Sequence, residues 1–201
     1  FRRVLFRSIE AVYPKKRTTI PGRREGIRPY LLKGVTISKP NQVWCADITH
    51  IPMSRGSMFL VCVMDWYSRR ILAWELSNTM DTGFCMRVMK ASVRVAGCKP
   101  EIMNTDQGSQ FTSCEWLSYL EKELKVRVSM DGRGRWLDNV MIERFWRSIK
   151  YEDVYLNVYE DGHELERGIG KFIYRYNHLR PHSSLGKRTP AMAYTERTNV
   201  A

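Results

Sequence analysis

Three runs with the composition of β-strands open the ordered part of the sequence. They cover Val43–Pro52, Met58–Trp66 and Arg70–Ser77, and they are separated by the short polar turns 54–57 and 67–69. Links of this length join antiparallel neighbours, because a parallel pair needs a much longer crossover. The pattern therefore predicts an antiparallel three-stranded sheet in this region.

After residue 80 the hydrophobic spacing alternates between helical and strand-like. The predicted elements are a helix over 81–96, a strand over Glu101–Thr105, a helix opened by a Thr112/Glu115 capping box, a strand over Lys125–Met130 and a helix over about 139–152. A strand reached through a helical crossover can lie parallel in the same sheet. We therefore predict an α/β fold with a mixed five-stranded sheet, three antiparallel strands followed by two parallel ones, and helices on both faces.

Composition divides the chain into three parts. Residues 1–40 are rich in Lys, Arg, Pro, Gly and Thr and are predicted to be a basic N-terminal arm. Residues 41–152 are the predicted core, and 153–201 a small helical C-terminal extension with a basic tail, whose main helix is capped by Asp161 and Glu164. Residues 1–8 are expected to be an assembly artefact, because Arg3–Ser8 match the translated end of a common sequencing adapter.

The charge balance narrows the class of partner. The chain has 33 Lys and Arg against 21 Asp and Glu, a formal net charge of +12. Such an excess favours nucleic acid, and no apolar stretch approaches the roughly 20 residues that cross a bilayer. The five cysteines include no C-x-x-C pair, which favours reduced thiols in a cytoplasmic protein. His178 and His182 are separated by Pro181, which argues against a shared helical metal site.

Three carboxylates are the candidate chemical groups. Asp47 lies inside the first strand run, Asp106 follows the fourth predicted strand, and Glu143 lies in the helix over 139–152. A carboxylate in a strand core is costly unless it is paired or holds a cation. If the first and fourth strands are neighbours, Asp47 and Asp106 come together. Carboxylates holding two divalent ions are suited to phosphoryl transfer on a polyanion.

Helical geometry at 100° per residue adds two cations to this set. Glu143, Arg147 and Lys150 share one edge of the predicted helix. The edge adjoins an apolar stripe that should pack on the sheet, formed by Ile142, Phe145, Trp146 and Ile149. We therefore expect Arg147 and Lys150 to contact a DNA backbone beside Glu143, although an ordinary Glu–Arg surface pair has the same spacing.

Each remaining candidate has an ordinary structural explanation. Asp106 precedes Gln-Gly and has the position of a turn aspartate, while Asp65 is expected to cap a hairpin turn. Arg133 and Arg135 lie in a glycine-containing loop, where they are either solvated or in contact with a DNA backbone. Trp136, in the same loop, is the candidate for stacking on a base.

Several motifs in fixed order carry a family resemblance. They are Trp44–Thr49, Asp65–Arg69, Thr105–Phe111, Asp138–Glu143, Tyr176–Gly186 and Thr189-Pro190. Together they resemble the integrase catalytic core of bacterial insertion-sequence transposases over residues 40 to 195. The chain is most similar to the second-reading-frame (OrfB) product of elements that make their transposase by frameshifting.

The resemblance implies a ribonuclease H-like fold and a DDE-type transposase. Asp47, Asp106 and Glu143 would be the triad that binds two Mg²⁺ or Mn²⁺ ions. Water would release a 3′-OH at the element end, and that 3′-OH would attack a second phosphodiester. The implied partners are double-stranded DNA, both element ends and target, and further copies of the chain, acting at the bacterial nucleoid.

One spacing departs from the family pattern, and two alternative functions stay open. The Asp106–Glu143 spacing is one residue longer than usual, with the extra residue placed in the Gly-Arg-Gly-Arg loop. Helix-turn-helix regions, which family members usually carry upstream, are expected to hold the specificity for element ends. A catalytically inactive DNA-binding remnant and a ribonuclease H-like nuclease remain alternatives.

Overall fold

A computed structural model describes residues 26–53, 56–132 and 139–196. One sheet contains the five strands, in the spatial order β3-β2-β1-β4-β5. The strands are β1 (Val43–Pro52), β2 (Ser57–Asp65), β3 (Ile71–Ser77), β4 (Ile102–Thr105) and β5 (Arg127–Met130). The first three are antiparallel, and β4 and β5 run parallel to β1. The predicted mixed sheet is confirmed.

Within the described ranges, five α-helices connect and cover the strands. They are α1 (Thr82–Ala96), α2 (Cys114–Ser118), α3 (Val140–Ile149), α4 (Gly162–His178) and α5 (Pro190–Thr195). Two π-helical turns, Tyr119–Glu123 and Lys150–Val154, extend α2 and α3, and a 3₁₀ turn covers Ser183–Leu185. No helix in the described ranges is long and apolar enough to cross a membrane.

Side-chain capping explains where α1 and α4 begin. Asp81 accepts from the Phe84 amide, and α1 ends at Gly97 in the left-handed conformation. Asp161 caps α4 by accepting from the Glu164 amide, as predicted.

The predicted capping box at Thr112 and Glu115 is wrong by one residue. Ser113 is the N-cap of α2, and its hydroxyl accepts from the Trp116 amide. The Thr112 hydroxyl donates instead to the carbonyl of Gly108 at 3.0 Å. Thr112 is unavailable as a cap because it closes the turn that follows Asp106.

Residues along β1 alternate between two apolar layers. Trp44 and Ala46 pack with α1 and α2 on one face. Cys45 and Ile51 pack with α3 and α4 on the other. The apolar stripe predicted for α3 is buried, with Ile142, Phe145, Trp146 and Ile149 all at most 6% exposed. Helices on both faces are confirmed, and the parity of β1 directs Asp47 toward α3.

The segment before β1 lies against the sheet. Leu32 is buried with Val43 and Ile102. The Leu31 amide donates to the Ser129 hydroxyl at 3.0 Å, which ties residue 31 to β5. This part of the predicted basic arm therefore packs on the edge of the sheet that β5 forms.

The tail after α4 is fixed by side-chain hydrogen bonds to distant backbone and loops. The Asn177 amide group pairs with both the N–H and the carbonyl of Ile71. The Tyr194 hydroxyl donates to Asn41 at 2.8 Å, and Arg70 lies over the Tyr194 ring. The tail motif therefore closes α4 and α5 onto the sheet.

Candidate active site

Asp47 lies in the centre of the sheet, half-buried, on the face covered by α3. One carboxylate oxygen accepts from the Trp146 indole N–H at 2.9 Å, and the other from the Ile48 amide at 2.8 Å. Burial raises the pKa of Asp47 to about 7, and the charges of Asp106 and Glu143 add to the rise. The two hydrogen bonds act in the opposite direction without offsetting it.

Asp106 follows β4 next to Asp47. Cys45 is opposite Asn104 in the parallel β1–β4 pair, so two residues later Asp106 continues alongside Asp47. Its side chain reaches solvent, yet desolvation by the surrounding atoms raises its pKa. The structure thus places Asp106 beside Asp47, as the strand order predicted.

Gly108 holds the Asp106 side chain in place. Its amide donates to Asp106 Oδ1 at 2.9 Å, so the turn interpretation of Asp106 is correct. A Cβ at position 108 would lie 2.9 Å from the same oxygen. A side chain at position 108 would therefore displace the Asp106 carboxylate, whose Oδ2 has no hydrogen bond within the described residues.

Glu143 lies in the first turn of α3 with its side chain exposed. The Trp146–Asp47 hydrogen bond attaches α3 to the sheet one turn further along. The negative charges of Asp106 and Glu143 both act on Asp47 and contribute to its raised pKa. Within the described residues, no three His, Cys, Asp or Glu side chains are close enough to hold a metal ion. The triad remains a prediction.

Two of the five predicted DNA-contacting residues can be located. Burial lowers the pKa of Lys150, and the negative charge of Asp47 partly restores it, so its ammonium lies near the candidate site. Arg147 is exposed one turn before it. Arg133, Arg135 and Trp136 lie outside the described residues.

Asp131 is a fourth carboxylate, which the sequence analysis missed. It follows β5, and the Thr105–Met130 pairing places it next to Asp106. Its carboxylate accepts from the Asn104 amide group at 2.8 Å, and its carbonyl from Gln107 at 2.8 Å. The available signal was its position directly after a predicted parallel strand, equivalent to that of Asp106 after β4.

Asp65 belongs to a different environment. It is fully buried and accepts hydrogen bonds from the Asn41 amide and from both the amide and the hydroxyl of Ser68. The expectation that Asp65 caps the hairpin turn is confirmed.

The predicted triad has a donor set that suits a divalent cation. Asp47, Asp106 and Glu143 supply carboxylate oxygens only, the ligands that Mg²⁺ and Mn²⁺ prefer. None of the three forms an ion pair with a residue in the described ranges. Burial, and further the charges of Asp106 and Glu143, raise the pKa of Asp47, and a bound cation would offset both effects, so the residues fit the chemistry of such an ion.

Comparison with known families gives two overlapping matches. Models described as integrase core domain match residues 37–135 and residues 124–190. Together they extend from shortly before β1 to the start of α5, and they include all three predicted triad residues.

Individual transposases are similar over most of this chain. The transposase for insertion sequence element IS904 of Lactococcus lactis is 31% identical over 183 residues, covering 84% of this chain and 72% of that protein. Transposase InsF for insertion sequence IS3A of Escherichia coli is 30% identical over 155 residues, covering 76% of this chain. The match spans about half of InsF, 54% of its length.

Solved structures with the same fold come from retroviruses. A simian T-cell lymphotropic virus intasome, solved in complex with PP2A regulatory subunit B56 gamma, matches with a TM-score of 0.69 and 19% identity, over 79% of this chain and 55% of that chain. The HTLV-2 integrase catalytic core domain, in complex with magnesium, matches at 0.63 and 20%, over 78% of this chain and 97% of that chain. These likenesses show the expected ribonuclease H-like fold. By its domain matches and its transposase relatives, the chain belongs to the integrase-core family of insertion-sequence transposases.

Proposed function

We propose that this chain is the catalytic part of a DDE-type transposase, which cleaves DNA to expose a 3′-OH and joins that end to target DNA by direct transesterification. One observation carries the proposal most directly. Asp47, on the central strand, is hydrogen-bonded to the helix that bears Glu143 and is acted on by the charges of Asp106 and Glu143. Similarity to named transposases supports the same reaction class.

Asp47, Asp106 and Glu143 would hold two Mg²⁺ or Mn²⁺ ions. When bound, such ions activate the attacking oxygen and stabilise the leaving oxygen of an in-line displacement. Trp146 and Ile48 orient the Asp47 carboxylate, and Gly108 orients that of Asp106. The exposed Glu143 side chain has the freedom to close on the ions from α3.

Basic residues beside the triad would bind the substrate. Lys150 and Arg147 follow Glu143 along α3, where each would bind a backbone phosphate. Arg133 and Arg135 are proposed as further phosphate contacts and Trp136 as a stacking residue. The substrate would be double-stranded DNA, both element ends and target. Because two ends must be joined, the active form is proposed to contain more than one copy of the chain, acting at the bacterial nucleoid.

A strand-transfer assay tests this function. The full chain would be incubated with Mn²⁺, supercoiled plasmid and a labelled duplex bearing a free 3′-OH. We expect label covalently joined to the plasmid, and complete loss of joining in Asp106→Asn, since that change removes a charged ligand. Ser109→Ala, an exposed residue in the same turn, is the matched control and should retain joining.

The products separate the alternatives. Nicking without joined label would indicate a ribonuclease H-like nuclease. Salt-sensitive DNA binding with neither nicking nor joining would indicate a catalytically inactive remnant. Joining that persists in Asp106→Asn would refute the assigned triad.

A further inference from the structure

A cleft lined by basic side chains borders α3 on the flank away from Glu143. Its volume is about 210 Å³, and it lies between α3, the turn after β2 and the segment that follows α4. Its basic lining comes from three segments: Arg69 from the turn after β2, Arg144 from α3, and Arg180 and His182 from the segment after α4. None of these residues has a role in the triad or among the proposed contacts beside it.

The positive charge of the cleft is only partly compensated. Arg180 forms a two-point ion pair with Glu152, with Nη2 and Oε1 at 2.9 Å. Arg69 donates to a backbone carbonyl of its own turn. Arg144 is exposed and has no hydrogen bond or ion pair within the described residues. The cleft is therefore bordered by three guanidinium groups. Of these, only that of Arg180 is paired with a carboxylate, the one on Glu152.

His182 adds an unsatisfied polar atom to the same cleft. Its ring packs edge-on against Tyr176, with 4.9 Å between ring centroids. The Nε2 atom is buried and has no hydrogen-bond partner among the described residues. A buried polar atom without a partner is costly, so the wall of the cleft at His182 has hydrogen-bonding capacity that the described residues leave unused.

We propose that this cleft binds a phosphate group of the DNA backbone, at a contact separate from the metal-binding triad. Phosphate oxygens match the guanidinium groups of Arg69 and Arg144 in charge and in hydrogen-bonding geometry. The inference rests on the proposed function in that it takes DNA as the substrate.

An adjoining groove favours a nucleic-acid phosphate over a free one. It has a volume of about 450 Å³ and shares Arg69, Met141 and Ser184 with the cleft. Its aromatic lining consists of Tyr30, Trp66 and Tyr67. Aromatic side chains next to a phosphate site provide surface for the sugar and base attached to that phosphate. Inorganic phosphate would leave this surface unused.

The geometry of α3 connects the cleft to the triad. At 100° per residue, Glu143 and Lys150 lie on one side of the buried stripe, and Met141 and Ser148 on the other. Arg144 and Arg147 lie between these two flanks, on the side facing solvent, where both are exposed. A DNA strand that crosses α3 would therefore meet cations along its whole path from triad to cleft.

Binding without metal isolates this contact from catalysis. The affinity of the full chain for a short labelled duplex would be measured by fluorescence anisotropy in EDTA at several NaCl concentrations. We expect Arg144→Glu to weaken binding about tenfold and to lower the salt dependence by about one phosphate contact. Arg94→Glu is the matched control, because Arg94 is exposed on α1 and the charge change is the same.

Equal affinities for Arg144→Glu and Arg94→Glu would overturn the proposal. Should Arg144→Glu fail to fold by circular dichroism, Arg144→Gln is compared with Arg94→Gln, with a smaller effect expected in the same direction. Because the assay contains no metal, weakened binding in an inactive protein would support the cleft while refuting the proposed function. Normal strand transfer by the wild type, together with unchanged DNA binding by Arg144→Glu, would support the proposed function and refute the cleft.

Inorganic phosphate distinguishes the source of the ligand. If millimolar phosphate raises the Tm of the wild type but not of Arg144→Glu, while both arginine variants bind DNA equally, the cleft takes free phosphate and the DNA assignment is wrong. If phosphate competes with DNA for the wild type and competes less for Arg144→Glu, the cleft binds the backbone as proposed.

Discussion

Asp65 and Asp47 are both withdrawn from solvent in the same sheet, yet their surroundings differ. Burial raises the pKa of Asp65, and three hydrogen bonds from two neighbouring segments together with the charge of Arg69 act to lower it. Asp47 receives two hydrogen bonds and has two like charges acting on it. Asp65 therefore has three donors and a nearby cation, whereas Asp47 has two donors and two like charges beside it. Uncompensated charge therefore distinguishes the candidate catalytic carboxylate from the structural one.

The largest effect is expected on stability, when Asp65 is replaced. Asp65→Ala leaves the amides of Asn41 and Ser68 without their acceptor in a buried turn, so we expect a loss of about 3 kcal/mol in the free energy of unfolding. Urea denaturation followed by circular dichroism measures it. Asp81→Ala removes a capping carboxylate at an exposed position and should cost clearly less. If both variants lose the same stability, Asp65 is an ordinary cap and the contrast with Asp47 weakens.

A smaller effect, on strand-transfer activity, is expected when Gly108 is replaced. A Cβ there would meet Asp106 Oδ1 at 2.9 Å, so Gly108→Ala should turn the Asp106 carboxylate away from Asp47. We expect strand transfer to fall about tenfold or more, since misplacing a reacting group is costly even when the fold survives. Thermal unfolding would verify that the fold is retained. Gly83→Ala, where the nearest side-chain atom lies 3.1 Å from the added Cβ, is the control and should retain activity.

The sequence predicted the sheet because its signals are local and agree with one another. Short turns imposed antiparallel pairing on β1–β3, and the helical crossover allowed β4 to pair in parallel with β1. That pairing is what places Asp106 beside Asp47. The apolar stripe of α3, predicted from helical spacing, is likewise buried, and Lys150 lies near Asp47 as expected.

What the sequence analysis missed depends on competition between neighbouring side chains. Thr112 and Ser113 are both good caps, and Thr112 is excluded only because its hydroxyl closes the turn after Asp106. Asp131 was missed because its contact with Asn104 exists only once β4 and β5 pair. The positive cleft was also missed, because its arginines come from segments 69, 144 and 180 that only the folded chain brings together.

The smallest effect tests the uncompensated charge of Asp47 itself. Its pKa is raised from 3.8 in the unfolded chain to about 7 in the fold. Its contribution to stability is therefore fully present below pH 3.8 and is lost as the pH rises through about 7. Asp47→Asn removes this dependence and keeps one of the two acceptor oxygens, so either Trp146 or the Ile48 amide retains its hydrogen bond. In EDTA we expect the variant to be more stable than the wild type by about 1 kcal/mol at pH 8, because solvent screening and the lost hydrogen bond offset most of the charge effect, with the difference falling toward pH 4.

A bound metal ion should reverse the stability order, so that the wild type becomes more stable than Asp47→Asn. Mn²⁺ at pH 8 should raise the Tm of the wild type, because an ion that binds only the folded state stabilises it, and should leave Asp47→Asn nearly unchanged. Asp65→Asn serves as the control, and it should keep the Mn²⁺ response of the wild type since Asp65 has no place in the triad. An equal Mn²⁺ response in Asp47→Asn and the wild type would mean that the charge on Asp47 is not what the ion neutralises. Asp47 and Asp65 would then differ only in the hydrogen bonds that their carboxylates accept.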